Sequence, residues 1–264
     1  MGNAVYRIEA YNTAKHSENK IHDDSVAQRF GFTGGLVPGV DVYAYMTHAA
    51  VARWGRAWLE RGTLECRFGK PVYDGEIAIV TPTDSAEGML LMVESQGASC
   101  ASGSASLPLA VEAVDLAAWP LPPEPPQERP AADAVSLAAG RWLGINPVHV
   151  TAEFAAQYYA DVRETAAIYR DEGLIHPGTV LRTCNWVLTH NAALGPWIHV
   201  GSRVVNLAAG RVGETLTVRA RIARNYEHKG HLFVDLDALV LADAKPVAHV
   251  IHTAIYRPRQ VMAA

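Results

Sequence analysis

Between Ser17 and Asp41 lie side chains that can move a proton, hold a water molecule and receive negative charge. His22 carries an imidazole whose ordinary pKa lies near neutrality, so it can take up a proton and return it within one reaction. Asn19 stands three residues before it and can orient a neighbour or form a turn through its own side chain. Ser17 can donate or accept a hydrogen bond but has no basicity near neutral pH. Two carboxylates are candidates for the acid. Glu18 follows Ser17 directly, and neighbouring residues on extended backbone point apart. Asp41 falls in the first turn of a helix, where it either complements the helix dipole or faces the site. His16 could pair with His22. Gly39 opens that same helix, whose first backbone N–H groups have no partner within the helix and can stabilise an oxyanion. Val37, before the helix, and Tyr45, one turn inside it, are candidate substrate-lining residues. No metal-ligand spacing is present. The chemistry this set implies is proton transfer by an imidazole aimed at a helix N-terminus that favours negative charge.

The elements that must position these groups can be read around them. Residues 5–12 form an opening strand or arm. Asp23 or Asp24 caps a helical turn that turns Val26, Ala27 and Phe30 inward and stops at Gly31. Apolar residues then recur at helical spacing over residues 40–60, with Gly62 as the stop, which predicts a long, mostly buried helix. From Leu64 the alternation switches to that of strands: residues 64–68, 77–83, 89–96 and 99–108, with a hairpin turn at Glu87-Gly88. Residues 119–130 hold six prolines, which rules out a helix or a central strand and predicts an extended linker.

The second half repeats the landmarks of the first. Asn146-x-x-His149 echoes Asn19-x-x-His22. His176-Pro177-Gly178 echoes Val37-Pro38-Gly39 before a second apolar helix over residues 179–193. Gly213-Glu214 echoes Gly75-Glu76, and strands over residues 215–223, 232–241 and 247–256 follow. The predicted division is a unit over residues 1–118, a linker over 119–132, and a second unit over 133–264. Each unit is one long helix packed on one face of a curled antiparallel sheet, an α+β arrangement made twice.

With 264 residues, 49% hydrophobic and 19% charged, the composition is that of a globular protein large enough to bury its core without staples. A net charge of −4 gives no general attraction to nucleic acid or anionic lipid. Cys66, Cys100 and Cys184 lie far apart and read as reduced, buried thiols. No signal peptide and no apolar run of spanning length is seen, so a cytoplasmic protein without membrane or nucleic-acid partners is expected.

The first half resembles the MaoC-like, (R)-specific enoyl-CoA hydratase branch of the hotdog fold. The likeness rests on Asn19, His22, Ala27, Gly31-Phe32 and Gly39, which match the Asn, His, helix Ala, Gly-Phe pair and helix-opening Gly of that family's signature. The repeat extends it to a double hotdog. His16, Ser17 and Lys20 depart from the signature, standing where the family has Gly, the catalytic Asp and Pro. The resemblance implies a hydratase or dehydratase acting on an enoyl or 3-hydroxyacyl thioester of CoA or acyl-carrier protein, with no cofactor. His22 would be the acid/base and the Gly39 N–H the oxyanion donor. The second half, with Gly144 at the acid position, would close the fold and shape the groove, and a homodimer of double hotdogs is one assembly open to it. Ser17 in place of the acid leaves two further readings: a repurposed hotdog enzyme, such as an acyl-CoA thioesterase or a lyase on a small non-CoA metabolite, and a non-catalytic acyl-binding subunit.

Overall fold

In a computed structural model the described residues are 4–15, 17–29 and 31–259, so His16 and Phe30 lie outside them. The first half contains β1 (Tyr6–Glu9), α1 (Asp24–Arg29), α2 (Gly39–Trp54), α3 (Arg56–Arg61), β2 (Thr63–Phe68), β3 (Ile77–Ser85), β4 (Gly88–Ser95) and β5 (Ala98–Ser106). The second contains β6 (Trp142–Leu143), β7 (Val148–His149), α4 (Ala152–Asp161), α5 (Ile168–Asp171), α6 (Pro177–Asn191), β8 (Ile198–Asn206), β9 (Thr215–His228), β10 (His231–Ala242) and β11 (Lys245–Arg257). All strands join one antiparallel sheet in the order β1-β3-β4-β5-β2-β8-β11-β10-β9-β6, with β7 beside β9. Read outward from its centre, each half has the same plan: the strand after the long helix comes first, and the short N-terminal strand lies at the far edge. The tandem helix-and-sheet arrangement expected from the repeat is therefore present.

The expected helix over residues 40–60 is interrupted. It starts at Gly39, ends at Trp54 and resumes as α3 after Gly55, whose φ of 57° takes the chain out of helical geometry. Every residue from Val40 to Thr47 is buried, as a helix apolar on all sides requires. Strand β8 has no counterpart among the expected elements, although it pairs with β2 at the centre of the sheet, Leu64 opposite Val204 and Cys66 opposite Ser202. Asp23 caps α1, its Oδ1 accepting from the N–H groups of Ser25 and Val26. The proline-rich segment is fastened to the second half: Arg219 donates to the Trp119 carbonyl, and Arg129 donates to that of Thr189.

One buried polar cluster binds the halves together, and a second lies within the second half beside the seam. Asp41, fully buried on α2, accepts from Arg182 of α6 (2.6 Å), Tyr158 of α4 (3.1 Å) and Thr13 of the N-terminal arm (2.6 Å). At the seam, His199 Nε2 lies 2.8 Å from Ser202 Oγ, which lies 3.0 Å from His252 Nδ1, and the two rings stack at 4.1 Å. Burial and the neighbouring His252 press His199 well below the usual imidazole pKa, and burial takes His252 down to about 3. Both are therefore neutral in the fold.

Two outcomes follow. Asp41→Ala leaves the Arg182 charge without its partner and is expected to cost about 3–5 kcal/mol in denaturant unfolding, with Asp41→Leu/Arg182→Met recovering most of it. The seam histidines protonate more readily once unfolded, so unfolding takes up protons below about pH 6.5. Stability is expected to fall as pH drops from there toward 3, and His252→Phe to flatten that slope in pH-dependent melting.

Candidate functional site

The site grows from the start of α2. Pro38 sits at its N-cap position and supplies no side-chain cap. The Asp41 and Val42 N–H groups bond back to the Pro38 carbonyl. Those of Gly39 and Val40 have no acceptor among the described residues. A side chain at position 39 is excluded by close approach: a Cβ there would lie 2.7 Å from His199 Nδ1 and 3.2 Å from the Phe68 ring.

His22 is held beside this helix end. Asn19 caps the single 3₁₀ turn Lys20–His22. Its Oδ1 accepts from the Ile21 N–H (3.4 Å) and the Trp197 N–H (3.2 Å), and its Nδ2 donates to the Trp197 carbonyl (3.0 Å). Asn12 Nδ2 donates to the His22 carbonyl at 2.9 Å. The imidazole Nδ1 lies 2.6 Å from the Leu36 carbonyl oxygen. A carbonyl only accepts, so Nδ1 carries the proton and Nε2 presents its lone pair. The Asn19 Nδ2, 3.4 Å away, is the neighbour of that nitrogen among the described residues. Burial lowers the His22 pKa; the Leu36 bond and the Asp41 charge oppose this, and Arg182 adds to it. The result is a neutral imidazole whose one basic nitrogen accepts a long hydrogen bond from Asn19 Nδ2.

His22 lines two cavities. One, of about 210 Å³, is mainly apolar and runs from His22 and Val37 past Phe68 to Cys100 and Ile255. The other, of about 320 Å³, is lined by Ser17, Glu18, Arg129 and Arg182. Asn19, His22, Pro38, Asn185 and Trp197 border both.

The structure brings His22, Asn19, Val37 and Gly39 together at the first cavity and sets the other expected residues apart. Ser17 reaches the second cavity, but its Oγ donates to the Asn19 carbonyl, at 3.4 Å, and makes no hydrogen bond with the His22 ring. Glu18 turns outward, its side chain 71% exposed, because Arg129 holds it in a two-point ion pair that also lowers its pKa. Asp41 is saturated by its three partners and does not touch His22. Tyr45 lies in the core, with its hydroxyl accepting from the Tyr11 N–H at 3.4 Å, and borders neither cavity. Asn185, Trp197 and His199, all from the second half, went unread in the sequence. A signal existed for Asn185: Arg182, Asn185 and Thr189 form a polar stripe at helical spacing on α6, and all three border the second cavity.

The matching position in the second half is closed. His176 caps α6 by accepting from the Gly178 N–H at 3.0 Å, and the Tyr158 hydroxyl lies over Gly178. With Nδ1 so occupied, His176 Nε2–H faces Glu164 at 3.3 Å, and His48 Nδ1 meets the same carboxylate at 2.8 Å. Burial pushes the Glu164 carboxyl up, and the two imidazole bonds more than reverse this, holding it well below the usual range. His149 lies on the exposed edge strand, beside Thr215, away from any such site.

No group of three or more potential metal ligands occurs among the described residues, and no helix among them is long and apolar enough to cross a membrane. No protein-family model matches the sequence, and no curated protein matches it. Solved structures do match in fold. A protein from Chloroflexus aurantiacus described as a MaoC domain dehydratase superposes with a TM-score of 0.62 at 9% identity, covering 97% of this chain and 95% of its own. A conserved hypothetical protein from Mycobacterium tuberculosis described as a double hotdog gives 0.62 at 15%, covering 97% and 96%. One from Novosphingobium aromaticivorans described as a thioesterase gives 0.52 at 12%, covering 97% of each. At these identities the likeness is one of fold, and it spans nearly the whole chain: this protein is a double hotdog, built like MaoC-like dehydratases.

Proposed function

We propose that the protein is a hydro-lyase of the MaoC-like type, adding water reversibly across a double bond conjugated to a thioester carbonyl, with His22 as its proton carrier. The observation that carries this reading is the neutral His22 Nε2, on a residue that lines two cavities, beside the uncapped N–H groups of Gly39 and Val40. In hydration, Nε2 takes a proton from water as the water oxygen bonds to the β-carbon. The displaced π electrons become enolate charge on the carbonyl oxygen. The Gly39 N–H meets that charge, a donor role whose loss typically costs about 3–4 kcal/mol. The imidazolium then returns its proton to the α-carbon, and dehydration is the same path reversed. One imidazole thus balances both proton transfers without a second acid.

Asn19 keeps the His22 turn in place, and Val37 with the apolar cavity receives the acyl chain. About 210 Å³ is roughly seven water volumes, which suits a short acyl group. The more polar second cavity, bordered by Arg182, suits the thioester arm, whether its carrier is CoA or a carrier protein. The same fold carries proteins described as dehydratases and one described as a thioesterase. A thioesterase is the second reading, favoured by the lack of any carboxylate hydrogen-bonded to His22 among the described residues.

The deciding assay offers crotonyl and longer enoyl thioesters and follows both conjugated absorbance and free thiol. Loss of absorbance without thiol release is expected; thiol release alone would establish the thioesterase reading, and neither would defeat both. His22→Ala is expected to lower kcat by at least about 10²–10⁴-fold. Because the reaction needs neutral His22 and its pKa is lowered, kcat/KM should stay level from neutral pH down past about 6.5 and fall only on the acid side of that value. A limb centred above pH 7 would rule out His22 as the base.

A further inference from the structure

Asn185 stands on α6, from the half of the chain that does not carry His22, yet borders both cavities that His22 lines. Its Oδ1 is buried and has no hydrogen-bond partner among the described residues. A buried amide oxygen without a donor costs free energy comparable to a lost hydrogen bond, and Asn185 lines both cavities, so an O–H or N–H from a ligand there would relieve it. The other amide and carboxylate groups near it are committed elsewhere. Asn19 has committed its amide to Trp197, Ile21 and the His22 ring. Asp41 has committed both oxygens to Arg182, Tyr158 and Thr13. Glu18 is held outward by Arg129. Of the amide and carboxylate groups beside His22, Asn185 is the one whose oxygen is left to accept.

Resting on the hydration reading, we propose that Asn185 is the positioning residue for the reacting oxygen, its Oδ1 accepting one O–H of the water while the other is given to His22 Nε2. With both hydrogens so placed, the water oxygen is free to turn one of its lone pairs toward the β-carbon. In dehydration Oδ1 accepts the hydrogen of the departing 3-hydroxyl, which leaves that oxygen's lone pair to receive the proton from the imidazolium. Water is the only molecule added or lost, and the amide is unchanged. The acceptor that an acid at position 17 would have supplied thus comes from the second half of the chain, and the site is composite.

The test uses the intact protein with Asn185→Leu and Asn185→Asp. Asn185 makes no hydrogen bond among the described residues, so both variants should melt close to the parent. For hydration of a crotonyl thioester, Asn185→Leu is expected to lower kcat about 10–100-fold with KM changed by less than about twofold. Asn185→Asp keeps an acceptor and should retain more of kcat than Asn185→Leu. A second readout needs no turnover. The charged groups near the ring are Asp41 and Arg182, and a new carboxylate sharing a water with Nε2 should raise the His22 pKa, followed by NMR titration, by about one unit or more. Full kcat in Asn185→Leu, or an unmoved His22 titration in Asn185→Asp, overturns the proposal. If the parent hydrates no enoyl thioester, the hydration reading falls, and the titration still decides whether Asn185 faces His22.

Discussion

The buried pair between Asp41 and Arg182 is the constraint on which the molecule turns. Asp41 sits in the first turn of α2, just beyond the N–H groups that face the cavity. Its partners come from the N-terminal arm, from α4 and from α6. A carboxylate fully removed from water is tolerable only if paired and hydrogen-bonded on every side. Meeting that demand fixes how the two halves sit against each other. It also places a negative and a positive charge near the His22 ring, where their opposite effects on its pKa partly cancel and burial decides the outcome. An acid lying so close to the site in sequence thus serves the fold, and that service removes it from the chemistry.

The same cluster accounts for the inequality of the two helix ends. Tyr158, held by Asp41, lies over the start of α6, and His176 spends its Nδ1 on that helix's own N–H. At α2 the corresponding groups are missing, and a glycine lets the His199 and Phe68 rings close in instead. Duplication supplied two potential anion sites, of which packing has filled one and left one facing a cavity. The Glu164 clamp on His48 and His176 completes the filling, because a buried imidazole needs a partner once its site no longer takes a ligand.

Much of this was legible in the sequence, for physical reasons that differ by element. The core helices show because a helix buried all round leaves an unbroken apolar pattern, and the turn before α2 shows because Pro-Gly has few alternatives. Helix α2 reads too long because Gly55 is one residue in a run otherwise suited to a helix, and only the positive φ marks it as a break. Strand β8 is hidden because its buried residues include His199, Gly201 and Ser202, so its inward face looks polar. That concealment also hid Trp197 and His199 from the site. Glu18 and Asp41 were visible as carboxylates, but their partners, Arg129 and Arg182, lie more than a hundred residues away, where spacing carries no information.

The serine at position 17 acquires a different sense in this setting. A carboxylate there would stand close to an imidazole that burial keeps neutral, and would raise its pKa. With serine, burial keeps the His22 pKa low and its Nε2 an unprotonated acceptor at neutral pH. The ring then needs help only in placing the water, a task for a neutral acceptor rather than a charged one. The residue proposed for it, Asn185 on α6, lines both cavities and carries no charge that would shift the ring's titration. In the proposed reading, the loss at one position in the first half and the polar stripe on the second half's helix are parts of one arrangement, in which the proton carrier and the water holder belong to different repeats.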